Sequence, residues 1–262
     1  MSKYATLRHY KRVWAIGAIR GEAHRLFDLH REIAKKFLPG DRIVYLGNMI
    51  GEGQYNLQTI DEILSFRRLV ISQPGMFAKD VVFLRGQMEE MWQKLLQLQF
   101  APNPKEILPW MLEHGMLPLI LAYGGDIERG IAAARDGALS ITRWTAALRE
   151  AMHAKEGHWN LFGNLFHGAL TDDKTLLFIH AGLNPDEPLE TQGDILWWGN
   201  NRFEEFADKP YPPFHRVIRG NSPAGIQNLT YGLSIDAGAG QGGKLMAVCL
   251  ERDGNVSQQI SA

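Results

Sequence analysis

The sequence predicts an α/β fold in which parallel strands alternate with helices near the start of the chain. Short apolar runs that end at or near a glycine predict buried strands. Helical spacing of apolar residues between the first runs predicts crossover helices. A segment from about residue 89 to 173 keeps helical spacing and predicts a helical insertion. Because no linker rich in proline, glycine or serine divides the 262 residues, we expect a single domain over 1–262.

The predicted elements follow in chain order. The runs that predict strands are Val13–Ile16, Ile43–Leu46, Val81–Leu84, Leu176–Ile179, Val217–Ile218, Leu233–Ile235 and Leu245–Leu250. The first predicted helix carries Leu26, Leu29, Ile33 and Phe37, and the second carries Leu57, Ile60, Ile63 and Leu64. Pro39-Gly40 ends the first helix. A glycine-rich turn between the last two strands indicates antiparallel pairing at the end of the chain.

Composition excludes several classes of protein. The chain has 28 Lys+Arg and 29 Asp+Glu, so its net charge of -1 gives no strong nucleic-acid signal. No apolar stretch reaches the roughly 18 residues of a membrane helix, and the first residues do not form a signal peptide. The one cysteine, Cys249, lies in an apolar run and predicts a buried, inert thiol. These features predict a cytoplasmic protein without a membrane partner.

Polar side chains follow the predicted strands where ligands bind in α/β sheets, beyond the carboxyl ends. If the strands share a sheet edge, their loops meet at one pocket. The side chains expected there are Arg20, Asn48, Glu52, Gln87, His180 and Asn221.

The five loops share their order and spacing with a known set of motifs. They read Gly17-Ala18-Ile19-Arg20-Gly21, Gly47-Asn48-Met49-Ile50-Gly51-Glu52-Gly53, Gly86-Gln87-Met88-Glu89, His180-Ala181-Gly182-Leu183 and Gly220-Asn221-Ser222-Pro223, with Ile235-Asp236-Ala237-Gly238-Ala239-Gly240 as a sixth block. Over about residues 12–250 the chain resembles the calcineurin-like metallophosphoesterases, in the branch of bacterial phosphoprotein phosphatases and symmetrical dinucleoside tetraphosphatases. The resemblance implies an α/β/β/α sandwich of two mixed sheets with a helical insertion.

The resemblance also implies a site for two divalent metals, such as manganese or iron and zinc. At the ligand positions of the first metal this chain has Ala18, Arg20 and Asn48. At those of the second it has Asn48, Gln87, His180 and Asn221. The acid-dyad positions carry Met88 and Gly51, and the position of a phosphate-binding arginine carries Glu52. A further arginine of the family is missing at Trp197-Trp198-Gly199.

These departures predict that no metal cofactor binds. Two cations about 3.5–4 Å apart repel each other and need anionic ligands, usually a bridging carboxylate. Asn48 offers a neutral carbonyl, and Arg20 is a permanent cation that never donates an electron pair. His180 is the one strong ligand left, and it falls short of the three or four that a stable site uses.

Arg20 and Glu52 have opposite charges at adjoining loops, and we expect them to form an ion pair across the vestigial site. The alternative is that Arg20 binds a phosphate or carboxylate directly, aided by backbone N–H groups at a helix start.

Several other residues are assigned structural roles. Glu89 is expected to cap or brace its helix, while Glu90 faces solvent. Trp197 is expected in the core and Trp198 at a rim. A further set of scattered histidines is expected at the surface or in helix packing, namely His153, His158 and His167.

The sequence therefore favours a catalytically silent relative of the phosphatases that acts in binding or regulation. Its partner is unknown and is expected to be a phosphorylated small molecule or protein. One alternative is an active phosphoesterase that uses a single displaced metal, or no metal with His180 as general base. Another is a structural subunit whose insertion, about 89–173, makes the contacts.

Overall fold

The computed structural model describes residues 3–199 and 202–262, which form two β-sheets covered by helices. The strands are β1 Tyr4–Leu7, β2 Arg12–Ile16, β3 Asp41–Tyr45, β4 Val81–Phe83, β5 Gly168–Thr171, β6 Leu176–Ile179, β7 Arg216–Arg219, β8 Ile226–Asn228, β9 Gly232–Ile235, β10 Met246–Leu250 and β11 Val256–Ser261. The helices are α1 Ala23–Lys36, α2 Asn56–Ile71, α3 Gln87–Leu95, α4 Pro104–Met111, α5 Leu117–Ala122, α6 Ile127–Asp136, α7 Ala138–His153, α8 His158–Gly163 and α9 Ile195–Trp198.

Both sheets are mixed. The first has the order β1-β5-β6-β7-β9-β8 and the second has the order β11-β10-β2-β3-β4. Strands β2, β3 and β4 are parallel, as the alternation of strands and helices predicts. The predicted pairing of the last two apolar runs with each other is wrong, because β9 and β10 lie in different sheets. The glycine-rich turn carries the chain from one sheet to the other, and each strand finds its antiparallel partner in its own sheet.

The period of two along the strands separates the layers of the core. In β2, Val13 and Ala15 belong to an apolar cluster that both sheets share, whereas Trp14 and Ile16 belong to a cluster with the helices on the outer face. The first sheet packs its outer face against a smaller cluster that includes α9. The α/β/β/α sandwich implied by the resemblance is confirmed.

The segment expected to be mainly helical, about 89–173, holds α4 to α8 and most of α3, and strand β5 lies at its end. Inside it the helix breaks at Leu112–Met116, where Gly115 has a φ of 94°. Cys249 is buried in β10, and burial raises the pKa of its thiol to about 11, as expected of an inert residue. Within 3–199 and 202–262, none of the helices combines the length and apolar character needed to cross a membrane.

Candidate functional site

The loops that follow β2, β3, β4, β6 and β7 meet at one end of the sandwich and are joined by backbone hydrogen bonds. The amides of Ala18 and Gly220 bond to the carbonyls of Gly220 and His180, at 3.1 and 3.0 Å. Glycine is required where loops touch, because a Cβ on Gly86 would lie 2.3 Å from the Asn48 amide nitrogen. The retained glycines therefore preserve the shape of the site.

Arg20 and Asn48 adopt left-handed backbone conformations, with φ of 50° and 49°. Non-glycine residues reach this region at a cost, and surrounding bonds must hold them there. The Arg20 amide donates to the Asn48 carbonyl at 2.8 Å, and the Gly53 amide donates to the Arg20 carbonyl at 2.7 Å. These backbone hydrogen bonds therefore hold Arg20 and Asn48 in this conformation, next to each other.

The guanidinium of Arg20 is buried and its N–H groups point at protein acceptors. Its two terminal nitrogens bind the two carboxylate oxygens of Asp236, at 3.1 and 2.8 Å. The same nitrogens donate to the carbonyl of Ala239 at 2.9 Å and to Oδ1 of Asn221 at 2.6 Å. Its Nε lies 3.5 Å from Oε2 of Glu52. Each terminal nitrogen therefore donates two hydrogen bonds, and the pair with Asp236 is bidentate and charge-assisted, whereas the contact of Nε with Glu52 is ionic without a hydrogen bond.

The predicted Arg20–Glu52 ion pair is therefore confirmed, but it is the weaker of two. Glu52 is part exposed and also accepts a bond from Gln241 at 3.2 Å. Asp236 is the principal partner, although the sequence pattern assigned it no role. Burial raises the pKa of the Asp236 carboxyl, but the hydrogen bonds and charge of Arg20 outweigh burial, so the pKa lies below its ordinary value. A buried guanidinium needs a carboxylate partner, and this requirement is what could have pointed to Asp236 from the sequence.

The amide oxygens of Asn48 and Asn221 are also engaged. Oδ1 of Asn48 accepts the Met88 backbone N–H at 2.9 Å, and Oδ1 of Asn221 accepts the bond from Arg20. The Met88 backbone N–H and the Arg20 guanidinium can only donate hydrogen bonds, so the side-chain amides of Asn48 and Asn221 must direct their oxygens toward these groups. Neither carbonyl is directed at an empty position, and the Asn48 Nδ2 lies 3.4 Å from Asn221 Oδ1.

His180 is fully buried, and among the described residues one of its two ring nitrogens has a hydrogen-bond partner. Its Nδ1 bonds to the carbonyl oxygen of Leu46 at 2.6 Å, so Nδ1 carries the proton and Nε2 presents a lone pair. Nε2 has no hydrogen-bond partner within the described part of the chain. Burial lowers the pKa of His180 to about 4, and the charge of Arg20 acts in the same direction. The imidazole is neutral at pH 7.

Glu89 caps its own helix, α3, as predicted, and it also binds the loop that follows β3. Its carboxylate accepts the backbone N–H groups of Gly86, Asn48 and Met49, at 2.8, 2.9 and 2.7 Å. Burial raises the pKa of this carboxyl, although those N–H bonds lower it. The prediction that Glu90 faces solvent is wrong, because Glu90 is buried and pairs with Arg85 at 2.9 Å.

The remaining predicted site residues lie around the same loops. Gln87 begins α3 and lines the cavity beside Arg20 and Asn221. Ala18 is buried beneath the loop that follows β7. Met88 is buried, and its side chain occupies the space beside Gly51, where a Cβ would lie 3.0 Å from it.

The cavity above these residues, the loop pocket, has a volume of about 610 Å³. Its polar lining is Arg20, Gln87, Asn221, Ser222, Asp236 and Gln241. The described residues contain no group of three or more His, Cys, Asp or Glu side chains placed to hold a metal ion. The surface of the loop pocket therefore consists mainly of neutral polar groups and of the Arg20–Asp236 pair, whose charges offset each other.

The other singled-out aromatic and histidine residues lie outside the loop pocket. Trp197 is buried, and Trp198 is 37% exposed beside Trp110, which agrees with a core and a rim role. His158 is buried and its ring nitrogens contact the Tyr123 hydroxyl and the Asp61 carboxylate. The other two histidines pack on tryptophans, His153 on Trp159 and His167 on Trp197.

Neither protein-family models nor curated protein sequences give a match to this chain. Solved structures do. A protein assigned as a diadenosine tetraphosphatase is 16% identical, with a TM-score of 0.58, over 100% of this chain and 99% of that one. A serine/threonine phosphatase from Saccharomyces cerevisiae is 14% identical, with a TM-score of 0.54, over 99% of this chain and 82% of that one. A cold-active protein tyrosine phosphatase is 11% identical, with a TM-score of 0.52, over 99% and 81%. The chain has the calcineurin-like metallophosphoesterase fold.

Proposed function

We propose that this chain is a binding or regulatory protein that lacks the dinuclear metal chemistry of its fold relatives. In this proposal the loop pocket receives a phosphorylated small molecule or a phosphorylated protein side chain. The observation that carries the proposal is the Arg20–Asp236 pair. This pair lies where the loops meet, and both carboxylate oxygens of Asp236 bind the guanidinium of Arg20.

The donor set does not fit two divalent ions. A two-metal site needs several anionic ligands, but the one buried carboxylate in the loop pocket already binds Arg20. The Asn48 and Asn221 oxygens accept N–H bonds, which leaves the lone pair of His180 as the strong ligand available. A permanent guanidinium beside that lone pair repels a cation.

Water activation also lacks a suitable group. The acid-dyad positions carry Met88 and Gly51, which exchange no protons. A histidine whose pKa is about 4 is a weak base at neutral pH. The neutral lining supports a different role, because amide groups such as those of Asn221 and Gln87 can donate to phosphate oxygens without a metal.

One experiment tests whether the loop pocket lacks bound metal and catalytic activity. Protein purified without chelators is examined for bound metal, and for turnover of p-nitrophenyl phosphate, a phosphoserine peptide and diadenosine tetraphosphate with added Mn²⁺. We expect metal far below one equivalent, and turnover equal to that of the His180→Ala control. Near-stoichiometric metal, with turnover that His180→Ala abolishes, would contradict the proposal and establish the alternative phosphoesterase.

A second experiment tests the ligand class. Thermal unfolding is followed with millimolar O-phosphoserine, adenosine monophosphate and inorganic phosphate, since any ligand of the folded state raises the midpoint. We expect a rise with at least one of them that Asn221→Ala reduces and the partly exposed control Gln73→Ala does not. Equal midpoints with and without all three compounds would rule out a phosphate pocket.

A further inference from the structure

A second, larger cavity lies at the edge of the sandwich, away from the loop pocket. Its volume is about 1090 Å³, and it is bordered by edge strands β1 and β4 and by helices α2 and α8. We call it the basic groove. Its cations are Arg8, Arg67, Arg68 and Lys79, and its apolar lining includes Leu64, Val82, Leu161 and Phe166.

Among the described residues, the lining of the basic groove has four positive side chains and no aspartate or glutamate. Arg8, Arg67 and Lys79 form no ion pair with any residue in 3–199 or 202–262. Arg68 has one contact, at 3.9 Å, with a glutamate that is 96% exposed. Because the whole chain has a net charge of -1, this concentration of positive charge is local.

Part of the backbone of the two edge strands also faces the basic groove without a partner among the described residues, although in β4 the Phe83 carbonyl accepts the Phe166 N–H at 2.9 Å. In β1, the carbonyls of Lys3 and Leu7 accept bonds from the side of β5, so the intervening Thr6 directs its N–H and carbonyl the opposite way. In β4, the Leu84 amide bonds to Tyr45 of β3, so Val81 faces away from β3. Thr6 and Val81 have no backbone partner across the cavity among the described residues.

Together these features fit one kind of occupant. An unpaired edge strand binds an extended segment through main-chain hydrogen bonds, and alternate side chains of that segment point to opposite sides. Apolar side chains on one side would meet Val82, Leu161 and Phe166, and acidic side chains on the other would meet the arginines and Lys79. We propose that the basic groove binds an extended acidic segment of a partner protein, added as a strand along β1. This proposal does not depend on the loop pocket.

Fluorescence polarisation tests the proposal with a labelled eight-residue peptide of alternating glutamate and valine. We expect saturable binding that weakens as salt rises. The double variant Arg67→Glu with Lys79→Glu should weaken it about tenfold or more, since like charges then oppose the peptide. The matched control, Arg31→Glu with Arg143→Glu, changes two exposed cations elsewhere and should leave affinity unchanged.

Two further peptides separate strand addition from simple charge attraction. A peptide with lysine in place of glutamate should not bind. A peptide methylated on alternate backbone nitrogens keeps its charge but cannot pair with an edge, so it should bind much more weakly. Equal binding of the methylated and unmethylated peptides, or tighter binding of single-stranded RNA than of the acidic peptide, would overturn the proposal. Absence of saturable binding of the acidic peptide at low salt would overturn it as well.

Discussion

The loop pocket and the basic groove both contain arginine, but they use it in opposite ways. In the loop pocket the guanidinium of Arg20 is buried and surrounded by acceptors, among them both oxygens of Asp236. In the basic groove, Arg8, Arg67 and Lys79 have no carboxylate partner in the described structure. A cation whose donors are engaged stabilises the fold, whereas one without a partner is available to a ligand. The presence of arginine in a cavity is therefore not enough to identify a binding site.

The difference follows from the backbone around each cavity. The loop pocket is built where loops touch through glycine, and its side chains are held from several directions. The basic groove is built from two edge strands and the surfaces of two helices, where long cationic side chains stay in water. Three substitutions test this contrast, from the largest expected effect to the smallest.

The largest effect is expected from Asp236→Ala. This change leaves the buried guanidinium of Arg20 without its counter-charge, and breaking a buried pair in this way costs about 3–5 kcal/mol. Urea unfolding at pH 7 measures the loss. The exposed control Asp28→Ala should change stability by less than about 0.5 kcal/mol. Adding Arg20→Met removes the stranded charge, so the double variant should be more stable than Asp236→Ala alone. A loss no larger than that of Asp28→Ala would contradict the role given to this pair.

An intermediate effect on stability is expected from the protonation of His180 at acidic pH. Its pKa is about 4 in the folded protein and 6.5 in the unfolded chain, so the unfolded chain takes up the proton first as pH falls. Stability is complete above pH 6.5 and decreases by about 2 kcal/mol between pH 6.5 and about 4.5. The charges of Arg20 and Asp236 act on the pKa of the imidazole in opposite directions, Arg20 lowering it and Asp236 raising it. His180→Gln keeps a donor for Leu46 without the titration, so urea unfolding should show a shallower pH profile. Parallel profiles for the two proteins would contradict the assignment.

The smallest effect is expected in the basic groove. The variant Arg67→Gln with Lys79→Gln removes two cations without carboxylate partners, so stability should change by less than about 0.5 kcal/mol. Relief of repulsion makes the expected sign favourable, and more so at low salt. Urea unfolding at low and high salt, beside Arg31→Gln with Arg143→Gln, provides the measurement. A loss above about 1 kcal/mol would show that these cations support the fold.

Much of the fold could be predicted from local sequence. Strands such as β2 and β3 contain apolar runs that end at or next to a glycine, so they were found at the sequence level. Strand β11 was missed because it reads Val-Ser-Gln-Gln-Ile-Ser and is mostly exposed, and β5 was hidden within the helical insertion. An edge strand needs only one apolar face, and its polar residues resemble those of a loop.

The site was predictable in position but not in its bonds. Family-like spacing brought Arg20, Asn48 and Asn221 together, and the structure places them in contact. The principal partner of Arg20 is 216 residues away, and no periodicity connects the two. The basic groove was not found at all, because Arg8, Arg67 and Lys79 come from three separate elements. Contacts between distant segments depend on sheet order, which the sequence analysis predicted only in part.

Under the proposed function, the pairing of Arg20 with Asp236 also makes a metal site difficult to build in these loops by single substitutions. Substituting histidine at position 20 would supply a ligand, but it would strand the Asp236 carboxylate while position 48 still held an amide. Substituting aspartate at position 48 first would place a second acid beside a pair that is already neutral. We expect each single variant to be less stable than the unaltered protein, so building a metal site here would require several changes at once.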